Sequence, residues 1–319
     1  MKKPLVIVPG GLNTDIIGLG VDRILDSGEL TLGGELRIGP GGKARNMAQM
    51  AAAYLGKDTV AMIGRSSRDP FGLWEVPLRA LDEAGVDTTH VKILDFIEAG
   101  RTYPGIALIP VDRTGKNQIY VLPGVNADFC CADVDAAESL FRDRGRNRIL
   151  LLALEIPLET VRHCLEKARM HGIPVILDPG GVGSAIDELL DDRIFLLKPN
   201  EHEAAVLTGL SIVGFDSAAA AADRLLERGV RNVLITHGGQ GAYFFNDTAR
   251  LHIPCPEVPD SGTNDETGCG DQVTALAAAA VAESRGITEA VRLAVLAGTL
   301  QFHRAGIQPV TRDELDLPA

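Results

Sequence analysis

The sequence predicts an α/β protein of three layers, in which helices cover both faces of a mainly parallel sheet and a second, smaller β-sheet stands beside it. Three observations carry this. Six short apolar runs recur along the chain, helical patterns separate most of them, and two turn-rich stretches break the alternation.

The runs Leu5–Val8, Thr59–Ile63, Ile149–Leu154, Val175–Leu177, Ile194–Leu197 and Val233–Thr236 read as strands buried on both faces. Pro157–Arg169 opens with a proline, which suits the first turn of a helix. Asp216–Glu227, with its alanine run at 218–222, and Thr288–Phe302 also carry helical spacing. After Gly270, residues Val273, Leu276, Ala277, Ala280 and Val281 form the i, i+3, i+4, i+7, i+8 stripe of an amphipathic helix. Phe71–Ala84 is helical in pattern, but Pro77 interrupts it, so this helix kinks or starts there. One exception to the alternation is Asp15–Ile38, where short strands are separated by glycines at 18, 20, 28, 33 and 34. The other is Arg101–Pro123, where Gly105–Val111 and Gln118–Leu122 flank a hairpin turn at 112–117. We expect a β-lid formed by insertions at approximately 12–40 and 98–124 of a single domain spanning 1–319. Its exposed edges would suit a partner lid in a homodimer.

Composition narrows the function. Apolar residues make up 45% and charged residues 23%, ordinary values for a globular protein. The net charge of −12 opposes a phosphate backbone or an anionic membrane surface, so neither nucleic acid nor membrane is an expected partner. Aromatics at 4% are too sparse for a base-stacking platform. Five cysteines, an odd number with no C-x-x-C, argue against a disulfide framework and for a reducing compartment. Met1-Lys2-Lys3-Pro4 leads into only four apolar residues, too few for a signal-peptide core, and a cytoplasmic location is expected. The seven histidines form no H-x-x-x-H pair, which speaks against a zinc hydrolase. Gly39–Ala44 imitates a P-loop but lacks the hydroxyl residue after the lysine, and Gly18-Leu19-Gly20 lacks the third glycine of a dinucleotide fold.

The chemistry concentrates in Asp265-Glu266-Thr267-Gly268-Cys269-Gly270-Asp271, which leads straight into the amphipathic helix. Glycines at 268 and 270 let backbone N–H groups converge at a helix N-terminus, a site for an anion. A carboxylate there makes sense if Asp271 accepts a proton from a hydroxyl while the N–H groups hold a phosphoryl group in transfer. Glu155 follows a wholly apolar strand and so sits at a carboxyl end, where open α/β sheets bind ligands. Cys269 is small, and a thiol at a helix start would also be a candidate for a lowered pKa.

This segment resembles the C-terminal signature of the PfkB carbohydrate kinases, the ribokinase-like family. Gly41-Gly42-Lys43-Ala44-Arg45-Asn46 resembles the N-terminal signature, and Asn13-Thr14-Asp15 the N-x-D that precedes it. The runs 115–127, 154–160, 198–203 and 236–241 follow in register, so the resemblance spans about residues 5–315. It implies a ribokinase-like three-layer fold and an ATP-dependent transfer to a primary hydroxyl of a small sugar, with ribose as the first acceptor. In that reading Asp271 is the general base, and Gly268, Cys269 and Gly270 supply the anion hole. Asn13, Asp15, Gly41, Gly42, Lys43, Asn46 and Glu155 would surround the sugar, whose buried hydroxyls each need a partner. Asn200, Thr236, Gly238 and Gly241 would hold the nucleotide, and Asn200 with Glu203 would organise Mg²⁺ through water. Asp265 and the 305–310 run resemble the family's monovalent-cation loop, implying K⁺, although Val310 replaces a hydroxyl residue.

Some positions depart from the pattern. Gln272, Val273 and Thr274 follow the base where the family has a small residue, Phe and Asn. Val295 replaces a polar residue near the adenine, and Arg45 replaces a small one, as in some nucleoside-kinase relatives. A nucleoside of the pseudouridine type and a ketose or ketosugar acid are therefore the alternative acceptors. A non-catalytic sugar-binding regulator is the rival outside the enzyme class, and its mark would be a lost base or anion hole.

Overall fold

The computed structural model describes residues 3–100, 102–180, 186–259 and 262–315. Arg101, the first residue of the stretch read as Arg101–Pro123, and the ends of the 1–319 domain lie outside the described residues.

Nine strands form the main sheet: β1 (Lys3–Pro9), β4 (Val60–Arg68), β5 (Asp87–Asp95), β8 (Arg146–Ala153), β9 (Val175–Asp178), β10 (Ile194–Leu197), β11 (Asn232–Thr236), β12 (Ala242–Asn246) and β13 (Arg250–Ile253). They run in the order β13-β12-β11-β10-β9-β8-β1-β4-β5. All neighbouring pairs are parallel except β11–β12 and β12–β13. Alternation within the strands feeds two cores. Val6, Val8, Ile149 and Leu151 pack with helices α1 (Lys43–Leu55), α8 (Cys269–Ala282) and α9 (Ile287–Phe302). Leu5, Ile7, Leu150 and Leu152 pack with α5 (Leu158–His171) and α7 (Phe215–Glu227) on the other face. The remaining helices are α2 (Glu75–Glu83), α3 (Cys131–Ala136), α4 (Glu138–Arg142), α6 (Glu201–Thr208) and α10 (Arg312–Leu315).

All six apolar runs are strands of this sheet. The sequence pattern missed β5 and β13, edge strands that lack an apolar run, and passed over the buried run Ala242–Phe245 of β12. The helix read over Phe71–Ala84 begins only at Glu75, and Pro77 sits in its first turn, where it displaces no helical hydrogen bond.

The second sheet has four strands in the order β3-β2-β6-β7, namely β3 (Glu35–Gly41), β2 (Asn13–Val21), β6 (Gly105–Asp112) and β7 (Tyr120–Leu122). The strand read as Gln118–Leu122 is shortened to its last three residues. Parallel pairing of β2 with β6 joins the two excursions into one sheet. Cross-strand rows show its two faces. Ile38, Ile16, Leu108 and Tyr120 share one row. Asn13, Asp15, Gly105 and Ala107 lie on the opposite face, because side chains alternate along each strand.

Candidate active site

Parallel pairing puts the carboxyl ends of β1, β8, β9, β10 and β11 along one edge of the main sheet, and a polar residue stands at or just beyond each end. Glu155 follows β8, Asp178 ends β9, Lys198 follows β10, Thr236 ends β11, and Asn13 follows β1 across the turn at 10–12. Helices α1 and α8 add Lys43, Asn46 and Asp271 from their first turns.

Asp271 is 6% exposed and held on both oxygens. Oδ1 accepts from Lys43 Nζ at 3.1 Å and Oδ2 from Asn46 Nδ2 at 2.7 Å. Gly268 caps α8 with φ of 74°, and a Cβ there would lie 2.5 Å from Ile307 Cδ1. The sequence thus needs glycine to start this helix. The N–H groups of its first turn have no helical carbonyls, and that of Cys269 turns to the Glu266 carbonyl at 3.2 Å.

Lys43 ties two strand ends to the start of α8. Its N–H donates to Glu155 Oε2 at 2.8 Å, and its Nζ lies 3.5 Å from Asp178 Oδ1 as well as against Asp271. Burial alone would lower its pKa, but Asp271, Asp178 and Glu203 outweigh it and hold the ammonium raised. Asp178 is fully buried, yet Lys198 at 2.8 Å and Lys43 overcome the desolvation and hold its carboxyl below the usual range. Thr274 Oγ1 donates to Asp178 at 3.1 Å and to the Gly270 carbonyl at 2.8 Å. Glu155 behaves oppositely. Burial, with the nearby Asp271 charge adding to it, pushes its pKa up to about 7 against the Lys43 N–H.

On the lid side, Asn126 threads Asn13 into place. Its Nδ2 donates to Asn13 Oδ1 at 2.8 Å, and its amide exchanges two bonds with the Leu12 backbone, each 3.1 Å. Asp15 lies over Gly41 so closely that a Cβ there would come within 1.8 Å of Oδ1. Burial raises the Asp15 pKa to about 6, with Arg45 opposing. Arg45 is fully buried; it donates to the Pro40 carbonyl at 2.8 Å, to the Gly41 carbonyl at 3.3 Å, and to Gln49 and Asn46.

The predicted nucleotide residues form a second group. Asn200 and Glu203 close a capping box at the start of α6, with bonds of 2.8 and 2.9 Å, and Asn200 bridges to Thr236. His237 N–H closes the turn onto the Gly241 carbonyl at 2.8 Å, framing Gly238. Asp265 braces the turn that leads into α8: its carboxylate accepts from the N–H of Thr267 at 2.8 Å and of Gly306 at 2.7 Å. The thiol reading of Cys269 needs correction: burial and nearby carboxylates push it up to about 12, and its Sγ donates to the Asp265 carbonyl. Sequence reasoning assigned no role to Asp178, Lys198, Asn126 or Thr274. The signal for Lys198 was its place directly before Pro199-Asn200; for Asp178 it was a strand ending in Asp-Pro-Gly.

A buried carboxylate beside an anion-binding helix start, at the strand ends of a parallel sheet roofed by a second sheet, is the layout of a small-molecule kinase. Over residues 3–313 the chain matches the pfkB family carbohydrate kinases, and it belongs to that family of ATP-dependent kinases. Ribokinase of Bacillus subtilis is 31% identical over 314 residues, covering 98% of each chain. Deoxyribokinase of Salmonella typhimurium is 30% identical over 303 residues, covering 95% of this chain and 94% of that protein. Among solved structures, Arabidopsis thaliana ribokinase complexed with ribose and ATP superposes with a TM-score of 0.85 at 28% identity, over 99% of this chain and 98% of its own.

Proposed function

We propose that this chain transfers the γ-phosphate of ATP to the primary hydroxyl of a small sugar, ribose first, with Asp271 as general base. The observation that carries this is the setting of Asp271, a buried carboxylate one turn into α8, oriented by Lys43 and Asn46 beside the 268–270 amides. The hydroxyl oxygen forms its bond to the γ-phosphorus as its proton passes to Asp271, and the bond to the β,γ-bridging oxygen breaks to release ADP. Gly268, Cys269 and Gly270 donate N–H groups to the transferring oxygens, with Cys269 exchanging the Glu266 carbonyl for phosphate. Asn13, Asp15, Gly41, Gly42, Lys43, Asn46 and Glu155 offer the sugar a matched set of donors and acceptors.

Asn200, Thr236, Gly238 and Gly241 line the nucleotide side. Glu203, held to the Asn200 N–H through one carboxylate oxygen, would hold Mg²⁺ through water, and the ion would neutralise phosphate charge there. The expected K⁺ at Asp265 is not carried into this reading, because the Asp265 carboxylate is already committed to two backbone N–H groups. We read the chain as one kinase domain whose lid, 12–40 and 98–124, closes to exclude water. A second copy would cover the lid's outer apolar face as a homodimer. All five cysteines are free thiols, which supports a cytoplasmic setting; among the described residues no helix is long and apolar enough to cross a membrane.

A nucleoside acceptor is the second reading, and one observation favours it. An open cavity of about 420 Å³ adjoins Glu155 and is lined otherwise by apolar groups, among them Val121 and Pro123 of the lid and Leu154 and Ile156 below. ADP release measured across ribose, deoxyribose, hexoses and nucleosides decides between them. Asp271→Ala should lower kcat by about 10²- to 10⁴-fold with nucleotide binding retained. Full turnover in that variant contradicts the base assignment.

A further inference from the structure

The loops flanking the anion hole are held together from inside by side-chain donors. Gln301, near the end of α9 and fully buried, directs Nε2 to the carbonyls of Gly306 at 2.6 Å and Thr267 at 3.2 Å. Its Oε1 accepts the Gln308 N–H at 3.3 Å. Arg304 donates Nη1 to the carbonyls of Gln308 and Pro309, both at 3.1 Å, and pairs through Nη2 with Glu314. Gln308 Nε2 donates to the Ala305 carbonyl at 2.9 Å, and the buried Gln272 accepts the Val310 N–H at 3.1 Å. The Asp265 carboxylate closes the frame on the N–H groups of Thr267 and Gly306.

A bare monovalent cation is held by a ring of oxygens that replace its hydration shell. Here the carbonyls of Thr267, Ala305, Gly306, Gln308 and Pro309 each already accept from a side-chain donor. One of those donors, the Arg304 guanidinium held by Glu314, already sets a cationic group against the Gln308 and Pro309 carbonyls. The residues present therefore do not fit K⁺, although the resemblance implies it.

We infer that the Gln301 amide, backed by the Arg304 guanidinium, replaces a monovalent cation in this chain. Gln301 clamps Thr267, the residue just before the 268–270 amides, to the 305–310 run, and turnover proceeds without K⁺. Gln301 is thus a positioning residue for the groups that face the phosphoryl oxygens. This rests on the kinase reading, so the test includes a measurement that needs no turnover.

The full chain is compared in K⁺ and in tetramethylammonium at equal ionic strength and fixed Mg²⁺. Melting of the native protein should differ by no more than about 1 °C between the salts, since an ion that does not bind adds no stability. Its kinase rate should agree within about twofold, below the usual range of effector coupling. Gln301→Ala removes the clamp and frees two carbonyls. It should lose about tenfold or more in kcat with the sugar KM nearly unchanged, because the displaced groups face the phosphate. It should also gain K⁺-dependent stabilisation and recover rate in K⁺. A native protein stabilised by several degrees in K⁺, or a variant indifferent to K⁺, overturns the inference. If the variant does not fold, the two-salt melting of the native chain decides alone. Equal melting in both salts with no turnover on any sugar would reject the kinase reading and still support the clamp.

Discussion

In the nine-stranded sheet, Leu5, Val6, Ile7 and Val8 alternate between two helical layers and none exceeds 2% exposure. In the four-stranded sheet, Leu36, Ile38, Leu108, Tyr120 and Leu122 share one face and stand 38% to 70% exposed. The first sheet is a frame whose strand ends cannot shift without opening a core. The second is tied to the frame near its start, where Asn13 meets Asn126 and Thr14 donates to the Leu73 carbonyl. The difference teaches where precision and where motion reside. Asp271 and its charge network belong to the frame, and the proposed sugar site would be met from above by an element with little to lose by moving.

The largest test of that division is Asp178→Asn. It strips the buried Lys198 ammonium of its carboxylate and should cost about 3–5 kcal/mol of unfolding free energy, as breaking a buried pair does. Denaturant titration that finds the variant as stable as the native chain would mean the frame does not depend on this pair.

A middle-sized effect concerns Glu155 and Asp15, whose folded pKa values of about 7 and about 6 lie above those of the free side chains. Between the unfolded and folded values the native state binds more protons than the unfolded chain, so stability falls as pH rises from about 4 to about 7. Glu155→Gln should flatten that fall and leave the variant more stable than the native chain at pH 8, with the gap closing near pH 4. A melting profile with the opposite slope would refute the sign.

The smallest effect on folding belongs to the lid. Ile38→Lys or Leu108→Lys should leave melting almost unchanged, because both side chains are already exposed, while abolishing self-association in light scattering. A native chain that is monomeric at high concentration would break the comparison from the lid's side.

The legible parts of the sequence were those with local grammar. Asp271, Lys43 and Asn46 sit in glycine-bearing turns immediately before or within helix starts, where a few neighbouring residues announce their purpose. Glu155 announced itself by ending an apolar run. Asp178 did not, because an aspartate before Pro-Gly reads as a turn residue and its partner Thr274 is 96 residues away. Its meaning comes from two lysines that only the sheet brings to it. Arg45 looked like an oddity of the signature and turned out to be the donor that fastens the end of β3 to Asn46. Of the two readings of Cys269, the lowered-pKa thiol fails because a helix start suggests a stabilised anion, whereas burial and the surrounding carboxylates favour the neutral form. The edge strands β5 and β13 were lost for a similar reason: solvent on one side erases the apolar run that marks a strand.

The order of strands β8, β9, β10 and β11 has one more implication. Neighbours in a sheet are spaced about 4.8 Å apart, so Glu155, Asp178, Lys198 and Thr236 are graduations on a ruler roughly 14 Å long. In the proposed assignment the accepted alcohol and the nucleotide would be read off opposite ends of that scale. The residue at the first mark could then be exchanged, and the alcohol with it, while the marks proposed for the nucleotide stay where they are.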